Sequence, residues 1–142
     1  MKIRHLLLLL PITTITALVI VSCGGDDAPC DAPLSITPGT WCITIQTTQN
    51  TCNVPLDSTP YTAVFTQDGS NLSALSEFNH TYTGTVCGNT ARLRGNNEGI
   101  ITDMNIDFSD ASNATGSVVW DIDSGSCSGT DTFISAAGGC PR

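Results

Sequence analysis

Beyond Gly39, apolar and polar residues alternate along the chain with a period of two. The clearest run alternates Met104, Ile106 and Phe108 with Asn105 and Asp107, which fall on the opposite face. A period of two with one polar face predicts antiparallel strands. Similar patterns predict eight strands, at residues 41–52, 61–67, 71–75, 81–87, 90–94, 100–108, 114–122 and 127–135.

Turn signals separate these strands. Asp68-Gly69 and Gly88-Asn89 are two-residue hairpin signals, whereas residues 95–99, 109–113 and 123–126 are predicted to form longer polar loops. No segment shows helical periodicity over the length of a helix. The pattern favours an all-β fold, an eight-stranded antiparallel up-and-down meander that closes into a small barrel without exposed edges. A two-sheet β-sandwich is the alternative.

Three glycines lie inside predicted strands, in similar short sequences. Gly84 occurs in T-G-T-V, Gly116 in T-G-S-V and Gly129 in the looser S-G-T. A glycine inside a strand usually marks a bend or bulge where a curved sheet needs room. These positions therefore favour the barrel over a flat sandwich.

The first 22 residues predict a secretion signal, because the basic Lys2 and Arg4 precede an apolar run that ends at Val21. Residues 20–23, Ile-Val-Ser-Cys, resemble the lipobox of bacterial lipoproteins. The resemblance implies cleavage before Cys23 and attachment of acyl chains such as palmitate to its sulfur. A transmembrane helix is the alternative, but Pro11 interrupts the run, which falls short of the roughly 20 residues needed to span a bilayer.

The predicted organisation is a signal peptide at 1–22, a lipidated N-terminus and flexible tether at 23–38, and a disulfide-bonded β domain at 39–142. The tether is rich in Gly, Asp, Ala and Pro. Gly24, directly after the lipidated cysteine, implies onward transport to the outer membrane of a bacterial envelope, at its periplasmic or outer face. Contact with the membrane would come through the acyl chains.

Charge narrows the range of partners. Loss of Lys2 and Arg4 with the signal takes the formal net charge from −8 to −10 and leaves no lysine. Nucleic acid is excluded as a partner, since phosphate binding needs a cationic surface. A Walker-type phosphate loop is excluded because it requires a lysine.

Apart from Cys23, the cysteines form an even set, which predicts disulfides in an exported chain. In a closed meander, the end of the first strand at Cys52 meets the start of the last strand at Cys127, so we predict a Cys52–Cys127 bridge. The remaining cysteines fall near the opposite end, and the sequence leaves all their pairings open: Cys30, Cys42, Cys87 and Cys140.

The sequence contains no catalytic or metal-binding motif, and we expect a protein that is not an enzyme and needs no cofactor. His80 has no accompanying nucleophile motif. Asp121 and Asp123 resemble the start of a calcium loop, but the twelfth position is Thr132 rather than glutamate. Asp103 and Asp107 fall on the polar face of a strand, where they are predicted to be solvated.

One family resemblance covers roughly residues 39–135. Gly39-Thr40-Trp41 at the start of the first strand is similar to the G-x-W of the lipocalin superfamily. Further segments resemble lipocalin-like domains of functionally uncharacterised bacterial lipoproteins, namely 61–72, 83–89, the T-G-x-V strand that ends at Trp120, and 127–130. The resemblance implies an eight-stranded barrel that binds a small apolar ligand in its interior or mouth, near Trp41 or Trp120. A protein-interaction or protease-inhibitor module is the alternative function, because short strands rich in small residues leave little interior space.

Overall fold

The computed structural model describes residues 32–52, 59–122 and 127–141. Its strands follow one another around a closed barrel, each antiparallel to its neighbours, and β8 pairs back onto β1. The strands are β1 Gly39–Asn50, β2 Tyr61–Asp68, β3 Asn71–Ser76, β4 Thr81–Cys87, β5 Thr90–Asn97, β6 Ile100–Asp110, β7 Asn113–Ile122 and β8 Ser128–Ala137. The predicted eight-stranded up-and-down barrel is confirmed, and the sandwich alternative is wrong.

Two of the predicted longer loops are in fact two-residue turns. β5 continues to Asn97, which pairs with Ile100, so only Glu98 and Gly99 connect β5 to β6. Both have positive φ angles, 55° and 82°, as the tightest hairpin turns require. The β6–β7 connection is likewise shortened, because β6 extends to Asp110. The third predicted loop, at 123–126, lies outside the described residues.

One end of the barrel, which we call the base, is densely packed. Trp41 is fully buried there, with its ring 5.3 Å from Phe65 and 6.1 Å from Phe108, the latter edge-on. Tilted and edge-on arrangements are the favoured geometries of aromatic pairs. Leu72 and Val86 are buried in the same cluster.

The segment before β1 closes the base. Ile36 is buried in the core, and the backbone N–H of Ile36 donates to Gln67 Oε1 at 2.9 Å. The Gln67 amide in turn donates to the carbonyl of Leu34 at 2.8 Å, and the Trp41 indole donates to that of Thr37 at 2.8 Å. The folded domain therefore begins before Gly39, inside the stretch predicted as tether, because the open end of the barrel core has to be covered.

Disulfides lie at both ends of the barrel. The predicted Cys52–Cys127 bridge is present, with a Cα–Cα distance of 5.0 Å. A second bridge joins Cys42 to Cys140, with a Cα–Cα distance of 4.7 Å, and ties β1 to the segment after β8 at the base. Cys87 is also disulfide-bonded. Cys30 lies outside the described residues.

Candidate ligand site in the upper barrel

The end of the barrel opposite the base, which we call the upper end, has a more accessible interior. Inward-facing side chains near the base are buried, whereas those of the upper strand ends are only partly buried: Ile45, Asn97, Ile100, Trp120 and Ile122. Small molecules in barrels bind where interior side chains leave room and reach solvent. The accessible part of this interior is therefore above the packed base.

The indole of Trp120 on β7 packs against Gly129 on β8, where the lack of a side chain leaves room for the ring. The two residues are direct cross-strand partners. A Cβ atom on Gly129 would lie 2.2 Å from Trp120 Cζ2, so the indole lies directly on the glycine backbone. In this position the indole Nε1 donates a hydrogen bond of 3.0 Å to Asp131 Oδ2.

Asp131 is a buried carboxyl group in the barrel interior. It is 7 % exposed and faces inward on β8, in the same alternation as Phe133 and Ser135. One oxygen accepts from Trp120, but Oδ1 has no hydrogen-bond partner within the described parts of the chain. A buried polar atom left without a partner costs about 1–3 kcal/mol. Native structures contain few such groups, so the unpaired oxygen indicates a missing partner such as a water molecule, an ion or a ligand.

Two tyrosines share this part of the interior with Asp131. Burial raises the pKa of Tyr61, and the neighbouring Tyr82, Asp131 and Glu77 raise it further. Burial also raises the pKa of Tyr82. Tyr61, Tyr82 and Asp131 all occupy inward positions in the alternation of their strands, β2, β4 and β8.

Phe78 lies on the rim of the upper end. It belongs to the β3–β4 turn and is 62 % exposed. Its ring centroid lies 5.6 Å from that of Tyr61 and 6.5 Å from that of His80. The exposed Phe78 ring packs at an angle of 49° against the partly buried Tyr61 ring, so aromatic side chains continue from the interior to the surface.

Glycines inside the strands provide space for aromatic rings of neighbouring strands, in addition to any bending of the sheet. Phe133 lies on its cross-strand partner Gly116, where an added Cβ would be 2.4 Å from the ring. Tyr82 lies on Gly95 in the same way, with a Cβ contact of 2.6 Å. Gly84 differs, because its Cβ would meet the backbone carbonyl of Arg92. Three inward-facing aromatic rings are thus accommodated by glycines on neighbouring strands.

The residues singled out from the sequence are distributed as follows. Trp120 lines the upper interior, whereas Trp41 is sealed in the base, so the structure brings only one of the two tryptophans to the accessible region. Cys23 lies outside the described residues. His80 is partly buried in the β3–β4 turn.

The acidic residues considered as chemical candidates lie on the outside. Asp103, Asp107 and Asp121 are exposed, and Asp103 approaches Arg94 at 3.6 Å on the outer face. Asp123 is outside the described residues. Within the described segments, no group of three or more His, Cys, Asp or Glu side chains is placed to hold a metal ion.

Asp131 was not predicted as a site residue, although its position in the sequence carries a signal. Gly129, Asp131, Phe133 and Ser135 occupy the inward positions of one alternating strand. A charged residue in phase with the apolar positions of a strand is unusual, since charged groups are rarely buried without a partner. Its position in phase with the inward-facing residues of the strand would have identified Asp131 as a buried charged residue.

The outer wall carries a shallow groove. Two adjoining depressions of about 480 and 420 Å³ share Thr44, Thr115 and Ile134 on strands β1, β7 and β8. Their other lining residues are mostly small or polar, and Ile134 is 63 % exposed. Among the described residues that line the groove, Phe133 is the one aromatic residue and Asp107, an exposed residue, is the one carboxylate.

Comparison with known proteins adds no assignment: no family model, no curated protein and no solved structure matches this chain. The described residues contain no helix long and apolar enough to cross a membrane. What the structure defines is a closed eight-stranded antiparallel barrel with a packed base and a partly accessible upper interior.

Proposed function

We propose that this protein is a binding protein of the bacterial cell envelope, anchored by lipid at Cys23, whose lipocalin-like barrel takes a small molecule into its upper end. The observation that carries the binding function is the Trp120–Asp131 pair. It stands where the interior changes from packed to partly accessible, and it has one unsatisfied oxygen. A site of this kind combines apolar walls with few polar groups, as small-molecule sites usually do.

The packed base limits the size of the ligand. Trp41, Phe65 and Phe108 fill the lower interior, so a ligand has only the upper part of the barrel to occupy. Its apolar body would contact Trp120 and the tyrosines, with Phe78 at the entrance. The proposal is therefore for one small ligand rather than a long acyl chain running through the barrel.

The segment that leads towards the proposed anchor joins the barrel at the end opposite the proposed site. The chain reaches the barrel through Leu34 and Thr37, whose N–H groups bond at 2.7 Å to the carbonyls of Gly88 and Ala111 in the turns of the base. A lipid on Cys23 would accordingly tether the protein by its closed end. The upper end is then free to receive a ligand from the aqueous phase rather than from the bilayer.

Tryptophan fluorescence tests the binding function. The domain is titrated with a hydrophobic dye and with small aromatic compounds, and we expect a saturable change in emission. Trp120→Phe should remove most of this change. Trp41→Phe, the matched control in the sealed base, should leave it in place. If none of these compounds produces a saturable change in emission, the proposal is contradicted.

Fractionation of the envelope tests the anchor. The wild-type protein should partition with membranes and carry acyl chains on Cys23. Cys23→Ser should abolish this acylation. An unmodified Cys23 in a soluble fraction would refute the lipoprotein part of the proposal and leave the binding site untouched.

The alternative function, a protein-interaction or protease-inhibitor module, has one structural observation in its favour. The outer groove presents the exposed Ile134 among threonines and serines, away from the interior. If the dye and the aromatic compounds fail to bind, Ile134→Glu becomes the variant to compare with wild type in capture of envelope proteins, and only loss of a specific partner would support the alternative.

A further inference from the structure

We infer that the upper-barrel site selects a small organic cation, namely a protonated amine carried on an apolar or aromatic body. This inference rests on the proposed function and names the ligand class. The amine would donate a hydrogen bond to the free oxygen of Asp131, and the body would pack against Trp120 and the neighbouring tyrosines.

Asp131 has an incomplete set of hydrogen bonds. Its carboxyl group is held by the Trp120 N–H at 3.0 Å through one oxygen, while the other, buried, has no partner in the described segments. A carboxylate oxygen only accepts hydrogen bonds, so the missing group is a donor. A ligand amine satisfies it, and a ligand carboxylate does not.

No described residue supplies a countercharge to Asp131. Among the described residues, the arginines are Arg92 and Arg94, and both are exposed on the outer face of β5. The one described histidine, His80, lies in the β3–β4 turn with its ring beside Phe78. The sequence has no lysine after Lys2. A cation paired with Asp131 therefore has to come from outside these residues.

Aromatic side chains share the upper interior with Asp131. Trp120 donates a hydrogen bond to Asp131, and Tyr61 and Tyr82 occupy inward positions of β2 and β4. Ammonium groups bind favourably over the faces of tryptophan and tyrosine, most strongly when they are desolvated. A carboxylate among such rings stabilises an amine in two ways, by charge and by ring faces. The strongly acidic chain adds a long-range attraction for cations.

A ligand series with one body and three head groups tests this inference on the unmodified protein. We would measure the binding of phenethylamine, 2-phenylethanol and 3-phenylpropionate by calorimetry. A hydrogen bond to a charged group is stronger than a neutral one, so the amine should bind about tenfold more tightly than the alcohol. The carboxylate should bind most weakly. An alcohol that binds as tightly as the amine would overturn the inference, because a neutral donor would then suffice.

Paired variants locate the selectivity. Asp131→Asn keeps the shape and an acceptor for Trp120 but removes the charge, and it should reduce the preference for amine over alcohol to about twofold or less. Asp121→Asn, an exposed carboxylate on the outer face of β7, is the matched control and should retain the full preference. A preference that survives in Asp131→Asn overturns the inference.

The outcomes separate this inference from the proposed function. If the alcohol or the dye binds but the amine has no advantage, the binding function stands and the amine class is wrong. If none of the three compounds and no dye binds, the proposed function itself fails. Circular dichroism checks that each variant is folded. If Asp131→Asn does not fold, the head-group series on the unmodified protein still decides.

Discussion

Gly129→Ala is the sharpest test of how the upper interior is built. The added methyl would lie 2.2 and 2.5 Å from two carbons of the Trp120 indole and 2.9 Å from the carbonyl oxygen of Gln49. These distances are too short for any carbon contact, and the indole is rigid. The Trp120 ring must therefore move away from Gly129, and its hydrogen bond to Asp131 is lost.

The cost follows from these contacts. Overpacking costs about 1–3 kcal/mol, and loss of a hydrogen bond to a charged group costs about 1.5–3 kcal/mol. Alanine reduces the entropy of the unfolded chain, which returns about 0.4–1 kcal/mol. We therefore expect Gly129→Ala to lower the free energy of unfolding by about 3 kcal/mol. Binding of aromatic compounds should weaken as well, because Trp120 no longer lines the site.

Urea unfolding followed by circular dichroism, with the disulfides intact, measures this change. Gly139→Ala is the matched control, since an added Cβ there would meet nothing within 4 Å. It should change stability by less than about 0.5 kcal/mol. If Gly129→Ala is as stable as the control and binds as wild type does, the packing of Trp120 on Gly129 is not what organises the site.

Three further predictions concern the remaining structure. Replacing Cys52 and Cys127 together by serine should cost about 4 kcal/mol of stability by chain entropy, given their separation of 75 residues; an unchanged urea midpoint would contradict this. The pKa of Tyr61 is raised by burial, so its stabilising contribution is complete below about pH 10 and is lost as pH rises further. Tyr61→Phe should reduce the alkaline loss of stability, and an identical alkaline profile would argue against burial. Hydrogen bonds from Asn113 and the Ser112 backbone lower the pKa of Asp110, so its contribution is present above its unfolded pKa and is lost as pH falls through the folded value. Asp110→Asn should flatten the acid limb of the stability profile; an unaltered slope there would refute this role.

Much of the barrel could be predicted from the sequence because the alternation that favours a strand involves only neighbouring residues. The alternation of residues 100–108, for example, needs only neighbouring positions to show which face is polar, and β6 has that arrangement. Strand number and antiparallel order also placed Cys52 beside Cys127. The true length of β5 was missed because its last residues are polar. They are ordered by cross-strand pairing of Asn97 with Ile100, which local pattern does not reveal.

The candidate site depended on contacts between residues distant in sequence. Alternation marks Trp120 and Asp131 as inward-facing, but only the register of β7 against β8 places the indole on Gly129 and within reach of the carboxyl group. The same holds for Gln67, whose bonds to Leu34 and Ile36 draw the preceding segment over the base. Local periodicity thus determined the strands and their faces. Register, ring packing and the covering of an open core end decided which side chains meet, because those depend on the closed barrel as a whole.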